Sequence, residues 1–413
     1  MPHIKQRSIL YVSHYYPPEV NAPALRVSRM AERWAEKGNK VTVLTGFPNH
    51  PNGVIPGHYR GRKFMKENRD GIDIVRTWVY ASPNKGFLRR VLNYISFMLT
   101  SVIIGVPKLP DIDVVVATSP QFFVAIAGYA ISLIKRVPFV FEVRDVWPEE
   151  IVAVGAIKNR FIVGLLEWIE MFLYRQARLI VAVAEGTVEI LTKRGVDPDK
   201  IVLLPNGVDL EEFTTPLDVE SLRSRHSLDG EFLVSYIGTH GMAHRLQTVV
   251  SAADKLRDRS RIRFMMVGDG AEKQGLMEMS RQLQLDNMTF VPQLPHEDAV
   301  DYYRAADACL VPLRKAELFT KNIPSKIYEI MAAGRPVVIG AAGESRRLVQ
   351  DAEAGISFEP EDVDDLVNSI LKLYNDRDYA AQLGKNGFEY ASRNCSRSEI
   401  ADRYLGHLME VAG

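Results

Sequence analysis

Short apolar runs alternate with longer amphipathic stretches along this chain. The run at residues 9–13 is typical of a buried strand, residues 24–37 of a helix that ends at Gly38, and residues 40–45 of a second strand. A strand, a helix and a strand in this order predict a parallel sheet, and such sheets bind ligands at the carboxyl ends of their strands.

The alternation runs to residue 183 and restarts at residue 232. The other predicted strands are 72–76, 114–118, 139–143, 179–183, 232–237, 263–267, 288–291, 308–312 and 337–339. The other predicted helices are 86–106, 122–135, 158–176, 246–257, 272–284, 296–305, one that ends at Gly334, two that begin at 362 and 377, and 397–411.

A chain of 413 residues is too long for one comfortable core. We predict an α/β fold with two Rossmann-like, doubly wound domains that face a cleft, residues 1–205 and 206–390. The segment 391–413 is expected to be a C-terminal helix that packs back on the first domain.

Composition describes an ordinary globular protein, with 46% apolar and 25% charged residues. Basic and acidic residues number 51 each, so no global field favours nucleic acid as a partner. Cys309 and Cys395 lie far apart, which argues against a disulfide scaffold or a cysteine-based zinc site. With no signal-peptide pattern at the N-terminus, the expected location is the cytoplasm.

The apolar segment 86–106 allows two interpretations. Residues 91–106 are uncharged but shorter than the roughly 20 residues that a membrane span needs. Lys85, Arg89 and Arg90 precede them, so a basic amphipathic helix at the inner face of the cell membrane is one interpretation. A core helix of a large α/β domain is the other.

Residues 321–339 are predicted to form a loop, a helix, a turn at Gly334 and a buried strand. A helix that begins at Ser325 and Lys326 can hold an anion, and Glu329 one turn later can accept hydrogen bonds from hydroxyl groups. A phosphate and a diol are what a nucleotide-sugar offers. Spacing alone favours a simpler interpretation, a solvated glutamate and a surface lysine, since such helix starts are common.

Polar residues also follow two predicted strands of the first half. His14 and Asn21 lie in a proline-stiffened loop after the first strand, and Arg144 and Asp145 follow strand 139–143. Arg144 and Asp145 are equally well explained as a local ion pair. A Gly-x-Gly-x-x-Gly fingerprint is missing from the sequence, which argues against a dehydrogenase.

In the second half, glycines follow two neighbouring predicted strands. Gly238 and Gly241 would let the backbone approach a phosphate, with Arg245 near the start of the next helix. Gly268 and Gly270 lie at the end of the following strand.

Several motifs match a known family in their order and spacing. They are Ser-His-Tyr-Tyr-Pro-Pro-Glu at 13–19, Phe-Pro-Asn-His-Pro at 47–51, Glu-Val-Arg-Asp-Val-Trp-Pro-Glu at 142–149, Leu-Pro-Asn-Gly-Val-Asp at 204–209, Val-Gly-Asp-Gly at 267–270, Pro-Ser-Lys-Ile-Tyr-Glu at 324–329 and Ala-Ala-Gly-Arg-Pro-Val-Val at 332–338. Over nearly its whole length the chain resembles the retaining family 4 glycosyltransferases of the GT-B fold. Within them it is similar to the branch that assembles bacterial capsule, O-antigen and colanic-acid-type polysaccharides.

The resemblance implies a role for each candidate residue and reverses the spacing-based interpretation of Glu329. That carboxylate would hold the donor ribose, while the helix start from Ile323 to Lys326 would hold the diphosphate. The loop 238–245 would close over the phosphates, and the backbone of 291–294 would receive the base. Taken together with the patterns above, the expected catalytic residues are Arg245, Lys326, Glu329 and Asp145; the donor-binding residues are Gly238, His240, Gly241, His244, Gly268, Gly270, Pro292, Leu294, Ile323 and Ser325; the acceptor and sugar residues are His14, Asn21 and Arg144.

Two positions depart from the wider family. The first of its paired glutamates is replaced by Lys321, a change that is common in the polysaccharide branch. Where the wider family has a lysine before the helix of the phosphate loop, this chain has His244 and Arg245. Arg245 could supply the lost charge, because this fold type uses no metal and the leaving diphosphate needs stabilisation.

The expected activity is therefore sugar transfer from a nucleotide-diphosphate donor, a UDP-sugar, with retention of configuration. The expected acceptor is a sugar or lipid-linked sugar, and no cofactor, metal or nucleic acid is expected. One alternative is a nucleotide-sugar epimerase of the same fold, which would form product from the donor alone. The other is a catalytically silent partner in a transferase complex, supported only by Lys321 and His244.

Overall fold

A computed structural model describes residues 6–50, 52–82, 87–119, 122–146, 159–214, 219–316, 320 and 323–413. The chain divides into two compact units. The first contains the described residues up to Asn206 together with Ser398–Gly413, and the second is Gly207–Arg397.

The described strands form one sheet in each unit. They are β1 Ser8–Val12, β2 Lys40–Gly46, β3 Phe64–Arg69, β4 Ile72–Thr77, β5 Val114–Thr118, β6 Phe139–Val143, β7 Leu179–Ala182 and β8 Ile201–Leu203, then β9 Phe232–Ile237, β10 Ile262–Val267, β11 Met288–Val291, β12 Ala308–Pro312, β13 Val337–Gly340 and β14 Gly355–Ser357.

The described helices separate most of these strands. They are α1 Ala22–Glu36, α2 Phe87–Thr100, α3 Phe122–Lys135, α4 Arg160–Gln176, α5 Glu185–Lys193, α6 Leu210–Thr214, α7 Val219–Arg225, α8 Gln247–Lys255, α9 Lys273–Gln282, α10 His296–Ala305, α11 Lys326–Ala332, α12 Glu344–Asp351, α13 Val363–Asn375, α14 Arg377–Asn394 and α15 Arg397–Ala412. A π turn and a 3-10 turn continue α2 to Lys108.

The first sheet has the order β3-β4-β2-β1-β5-β6-β7-β8. Its strands are parallel except β3, which pairs antiparallel with β4. The strand β3 was not predicted, because it is polar and largely exposed. The turn that joins β3 to β4 does contain a sequence signal for a hairpin, the Asp-Gly pair at positions 70 and 71. Asp70 and Gly71 both have positive φ (52° and 80°), as a two-residue hairpin turn requires.

Side chains of β1 alternate between the two faces of this sheet. Leu10 and Val12 belong to the core beneath α2, α3 and α4. Ile9 and Tyr11 belong to the core beneath α1 and α15.

The chain ends in helix α15, which packs on α1 within the first unit. The buried Trp34 Nε1 donates to the Ala401 carbonyl oxygen at 3.0 Å, and Arg33 pairs with Asp402 at 2.7 Å. Residues 391–397, which we had expected to join this segment, stay in the second unit. There the Val208 amide donates to the Cys395 carbonyl oxygen at 2.8 Å.

The second sheet is fully parallel, with the order β11-β10-β9-β12-β13-β14. Helix α11 buries Ile327, Ile330 and Met331 against it, as their spacing predicted. The chain leaves α11 at Gly334 with φ 65°, the conformation expected there. Two Rossmann-like sheets covered by helices confirm the predicted fold class.

Candidate functional site

In the second unit, the loops after β9 and β10 lie directly against each other. The His240 amide donates to the Asp269 carbonyl oxygen at 2.8 Å, and the Glu272 amide donates to the His240 carbonyl oxygen at 2.9 Å. A Cβ on Gly268 would lie 2.0 Å from the carbonyl oxygen of Gly238, and one on Gly270 would lie 2.4 Å from that of His240. The structure therefore uses both glycines to pack the loops, and a direct donor contact by either stays a prediction.

The side chain of Lys326 rises from the first turn of α11 into the space beneath the loop that follows β9. Its Nζ lies 3.9 Å from the centroid of the Tyr236 ring and 2.8 Å from the position a Cβ of Gly238 would occupy. This nitrogen is buried and has no hydrogen-bond partner in the described part of the chain. Burial lowers the pKa of Lys326 from 10.5 to about 7, although the Glu329 carboxylate acts in the opposite direction.

Two histidines in the same loop are uncharged. The ring nitrogens of His240 are buried, and His244 Nδ1 lies 3.4 Å from the Pro312 carbonyl oxygen. Burial, reinforced by neighbouring lysines, lowers the pKa of His240 to about 4 and that of His244 to about 3. Neither imidazole supplies positive charge at neutral pH.

Arg245 ends this loop in the left-handed conformation, with φ 47°. Its side chain is 49% exposed, and Nε donates to Glu361 Oε2 at 3.1 Å. The other oxygen of Glu361 accepts a hydrogen bond from the Lys315 amide at 2.9 Å. Arg245 is thus paired within its own unit, whereas the Lys326 ammonium has no hydrogen-bond partner among the residues that the structure describes.

The carboxylate of Glu329 is only 12% exposed and faces helix α10. Its Oε1 lies 3.9 Å from His296 Nδ1, and His296 Nε2 lies 3.0 Å from Glu212 Oε2. Burial works against the charged imidazole, but the bond to Glu212 and the charge of Glu329 raise the pKa of His296. Tyr303 is buried on the same helix; its burial and the charge of the Glu329 carboxylate raise the pKa of its phenol well above the usual value.

Sequence reasoning missed His296 and Tyr303, although a signal for them exists. His296, Val300 and Tyr303 recur at helical spacing, so they share one face of α10. That face meets the acidic side of α11, because α10 and α11 are in contact.

The other predicted donor-binding residues surround the start of α11 and the end of β11. Ile323 and Leu294 pack partly against the core that contains Ile327, so any donor contact by these segments would use the backbone. Pro292 is exposed, and Ser325 is the N-cap residue of α11.

In the first unit, the predicted acceptor residues occupy two separate strand ends. His14 is 2% exposed, and its ring makes edge contacts with Tyr15, Tyr94 and Phe97 at 4.9–5.2 Å. Burial lowers its pKa to about 4, although the side chain of Asn93 acts in the opposite direction. The histidine is therefore a neutral, apolar-packed group.

Asn21 has a structural role that explains its presence. Its Oδ1 accepts a hydrogen bond from the Ala24 amide at 2.9 Å and caps α1. Any contact of Asn21 with a sugar stays a prediction.

Arg144 and Asp145 are held at the end of β6 by one hydroxyl group. Their amides both donate to Ser119 Oγ, at 2.7 and 3.2 Å. The Nε and Nη1 atoms of Arg144 are buried and lack hydrogen-bond partners among the described residues. Burial and the nearby Arg26 guanidinium lower the pKa of Arg144.

A buried acid beside this strand end received no role in the sequence analysis. Glu142 accepts hydrogen bonds from Tyr11 at 2.9 Å, Arg26 at 3.2 Å and Thr118 at 2.7 Å. Although burial opposes its ionisation, Arg26 and its other partners lower the pKa of Glu142. A charged residue within the apolar run Phe-Val-Phe-Glu-Val was the available signal.

Lys321 and residues 147–158 lie outside the described residues. Within the residues that are described, no group of three or more His, Cys, Asp and Glu side chains could hold a metal ion.

Comparison with known proteins identifies two domain families. Residues 21–207 match the model of the glycosyl transferase 4-like domain, and residues 218–390 match that of glycosyl transferases group 1.

Individual relatives have low sequence identity to this chain or match only about half of it. The glycosyl transferase WcaI of Escherichia coli K12, named for colanic acid biosynthesis, is 24% identical over 97% of this chain and 99% of its own length. A D-inositol 3-phosphate glycosyltransferase of Stackebrandtia nassauensis is 32% identical, but over 51% of this chain and 48% of its own length.

Solved structures show the same fold. A sucrose-phosphate synthase of Thermosynechococcus elongatus superposes with a TM-score of 0.74 at 20% identity, covering 98% of both chains. The Anabaena protein HepE, solved with UDP and glucose, also reaches 0.74, at 18% identity over 98% of this chain and 100% of its own.

Proposed function

Because the chain belongs to the GT-B glycosyltransferases, with a family 4-like domain followed by a group 1 domain, we propose that it is a retaining hexosyl- or N-acetylhexosaminyl-transferase. It moves the sugar of a UDP-sugar to a sugar or a lipid-linked sugar, in the synthesis of a cell-surface polysaccharide. The name of WcaI and the UDP bound in the HepE structure support the pathway class and the base.

The observation that carries this proposal is the buried ammonium of Lys326. A buried cation without a hydrogen-bond partner is costly, and a function that needs an anion there explains why it is kept. The donor diphosphate supplies that anion. One turn along α11, the two carboxylate oxygens of Glu329 accept hydrogen bonds from the two ribose hydroxyls of the donor.

Catalysis in this scheme consists of positioning and electrostatic stabilisation. The acceptor hydroxyl attacks the anomeric carbon from the face that the diphosphate leaves, and the departing phosphate takes the acceptor proton. No covalent enzyme intermediate is needed. Lys326 stabilises the charge that develops on the leaving group, and Arg245 is a second cation if it exchanges Glu361 for phosphate.

The acceptor would bind to the first unit. Arg144 offers buried guanidinium nitrogens that lack partners among the described residues, so it would bind an anionic or hydroxyl-rich part of the acceptor. A lipid-linked acceptor implies a cytoplasmic enzyme at the inner membrane face, in contact through the segment 86–106.

A thermal-shift screen of nucleoside diphosphates and their sugar conjugates tests the donor assignment. A nucleotide at a hundredfold excess over its Kd stabilises the folded protein against unfolding by about 2.7 kcal/mol, which raises the melting temperature by about 3 °C or more. Uridine nucleotides should produce this shift. Lys326→Met should reduce it to about half or less, while Lys385→Met, on an exposed helix position, should leave it unchanged.

An acceptor-dependence assay separates the three activities. Transfer requires donor and acceptor together, whereas an epimerase would convert the donor alone. A protein that binds no nucleotide and consumes no nucleotide-sugar would contradict the proposal and favour the silent-partner alternative.

A further inference from the structure

Exposed apolar side chains are concentrated on three helices of the first unit. Eighteen large apolar residues of the described chain are exposed, and only three of them belong to the second unit. Ten lie on α2 with its continuation, α3 and α4: Leu88, Leu92, Leu99, Ile103, Leu133, Ile134, Phe161, Ile162, Leu165 and Trp168. Scattered apolar residues are normal on a protein surface, but a concentration of this kind marks an interaction site.

These three helices cover the same face of the first sheet. Helix α3 contacts both α2 and α4, and all three contribute to one core cluster. We call their outward side the three-helix face.

One side of helix α2 and its continuation packs in the protein core. Phe97 is fully buried, whereas Leu88 and Ile103 are each 70% exposed. The stretch Leu88–Lys108 is long and apolar enough to cross a membrane. Since its inner side packs in the core, the exposed stripe is suited to lying along a surface and not to crossing it.

Helix α4 repeats this arrangement. Phe161, Leu165 and Trp168 follow each other at helical spacing and are 91%, 56% and 63% exposed, while Leu173 and Tyr174 are buried. Exposed Trp and Phe beside Leu are typical of helices that bind the interface of a lipid bilayer.

Charge on the three helices identifies the kind of surface that would cover them. The whole chain has no net charge, yet these segments contain six basic residues and two acidic ones: Arg89, Arg90, Lys108, Lys135, Arg160 and Arg175, with Glu167 and Glu170. Glu170 is buried and pairs with Arg194 at 2.7 Å. This excess of positive charge complements an anionic surface and disfavours a second copy of the same face, which would repel it.

We propose that the three-helix face docks on an anionic lipid bilayer, with Phe161, Leu165 and Trp168 of α4 inserted among the lipid headgroups beside the stripe of α2. The proposal extends the membrane contact expected of segment 86–106 to a second, separate helix. It rests on the proposed function in one respect, the use of a lipid-linked acceptor.

Vesicle flotation of the full chain, without donor or acceptor, tests this surface. The protein should float with phosphatidylcholine vesicles that contain phosphatidylglycerol and bind at least tenfold more weakly to phosphatidylcholine alone. The combined variant Phe161→Ser, Leu165→Ser and Trp168→Ser should bind the anionic vesicles at least tenfold more weakly than wild type. The matched control Met277→Ser with Phe388→Ser, which changes exposed apolar residues of the second unit, should bind normally.

A second measurement needs no triple variant. Brominated lipids should quench wild-type tryptophan fluorescence, and Trp168→Phe should lose most of that quenching. Unchanged flotation of the triple variant, or equal quenching with and without Trp168, would overturn the proposal. The proposal would also be overturned if the wild-type protein does not bind vesicles but self-associates, and the triple variant does not self-associate. That result would identify a second copy of the chain as the partner of this face.

Failure of this surface and failure of the proposed function give different results. Transfer to a water-soluble acceptor by a protein that does not bind vesicles contradicts the surface alone. Vesicle binding by a protein that consumes no nucleotide-sugar contradicts the function alone.

Discussion

Replacing Lys326 with methionine should make the protein more stable and at the same time a poorer binder of its donor. Methionine keeps a flexible apolar chain over the Tyr236 ring and removes the buried ammonium. Few substitutions of a lysine are expected to act in these two directions together, so the pair of effects is specific to the proposed role.

The stability change follows from the pKa. Burial lowers the pKa of Lys326 from 10.5 to about 7, so the unfolded chain binds a proton more tightly than the folded one. At pH 7 this difference costs on the order of 4 kcal/mol of folding free energy. The Lys326→Met variant should recover about 2–4 kcal/mol of it.

The same pKa shift determines how the stability of wild type changes with pH. Between pH 7 and 10.5 the unfolded state holds more protons, so the stability of wild type rises with pH relative to the variant. The stability gap between the two proteins should therefore narrow as the pH rises through this window. Urea unfolding at pH 7 and pH 9.5 measures it.

Donor affinity should change in the opposite direction. A hydrogen bond to a charged group contributes about 1.5–3 kcal/mol, so the variant should bind a UDP-sugar about 10- to 150-fold more weakly. Calorimetric titration measures this affinity, with Lys385→Met as the surface control. A Lys326→Met protein that is less stable than wild type and binds the donor equally well would refute the reasoning.

Three other substitutions test separate parts of the site, and a fourth, Gly275→Ala, is the control for one of them. Glu329→Gln removes the charge of the ribose-binding acid, so the donor KM should rise about tenfold or more in steady-state kinetics, with a melting temperature close to that of wild type. Gly268→Ala would place a Cβ 2.0 Å from a backbone carbonyl oxygen of the neighbouring loop, so the free energy of unfolding should fall by about 2 kcal/mol or more in urea titrations. Gly275→Ala, in a helix with open space around it, should be neutral or stabilising by up to about 1 kcal/mol. Arg245→Met should lower kcat/KM less than Lys326→Met does, because its half-exposed guanidinium is already paired with Glu361; a larger loss in Arg245→Met would assign Arg245 the larger share of the phosphate charge.

Local pattern was enough to predict the framework of the site. The spacing of Ile327, Ile330 and Met331 and the glycine at position 334 predicted helix α11, because both depend on neighbours along the chain. Parallel strands were recognisable for the same reason, since a strand covered on both faces is a continuous apolar run. The strand β3 was missed because its side chains are mostly polar.

What surrounds the candidate residues depends on contacts between distant segments. Lys326 is buried by Tyr236 of β9 and by the loop at Gly238 that follows this strand. Likewise, Glu329 is flanked by His296 because α10 and α11 are packed together. Sequence spacing contains neither fact, so the buried state of the lysine could not be predicted.

The most direct test of the account is a crystal structure of the protein with a bound UDP-sugar. We expect Lys326 Nζ within about 3 Å of a diphosphate oxygen and both ribose hydroxyls on the carboxylate of Glu329. A nucleotide bound elsewhere, with the ammonium still over Tyr236 and Glu329 contacting no ribose, would contradict the account.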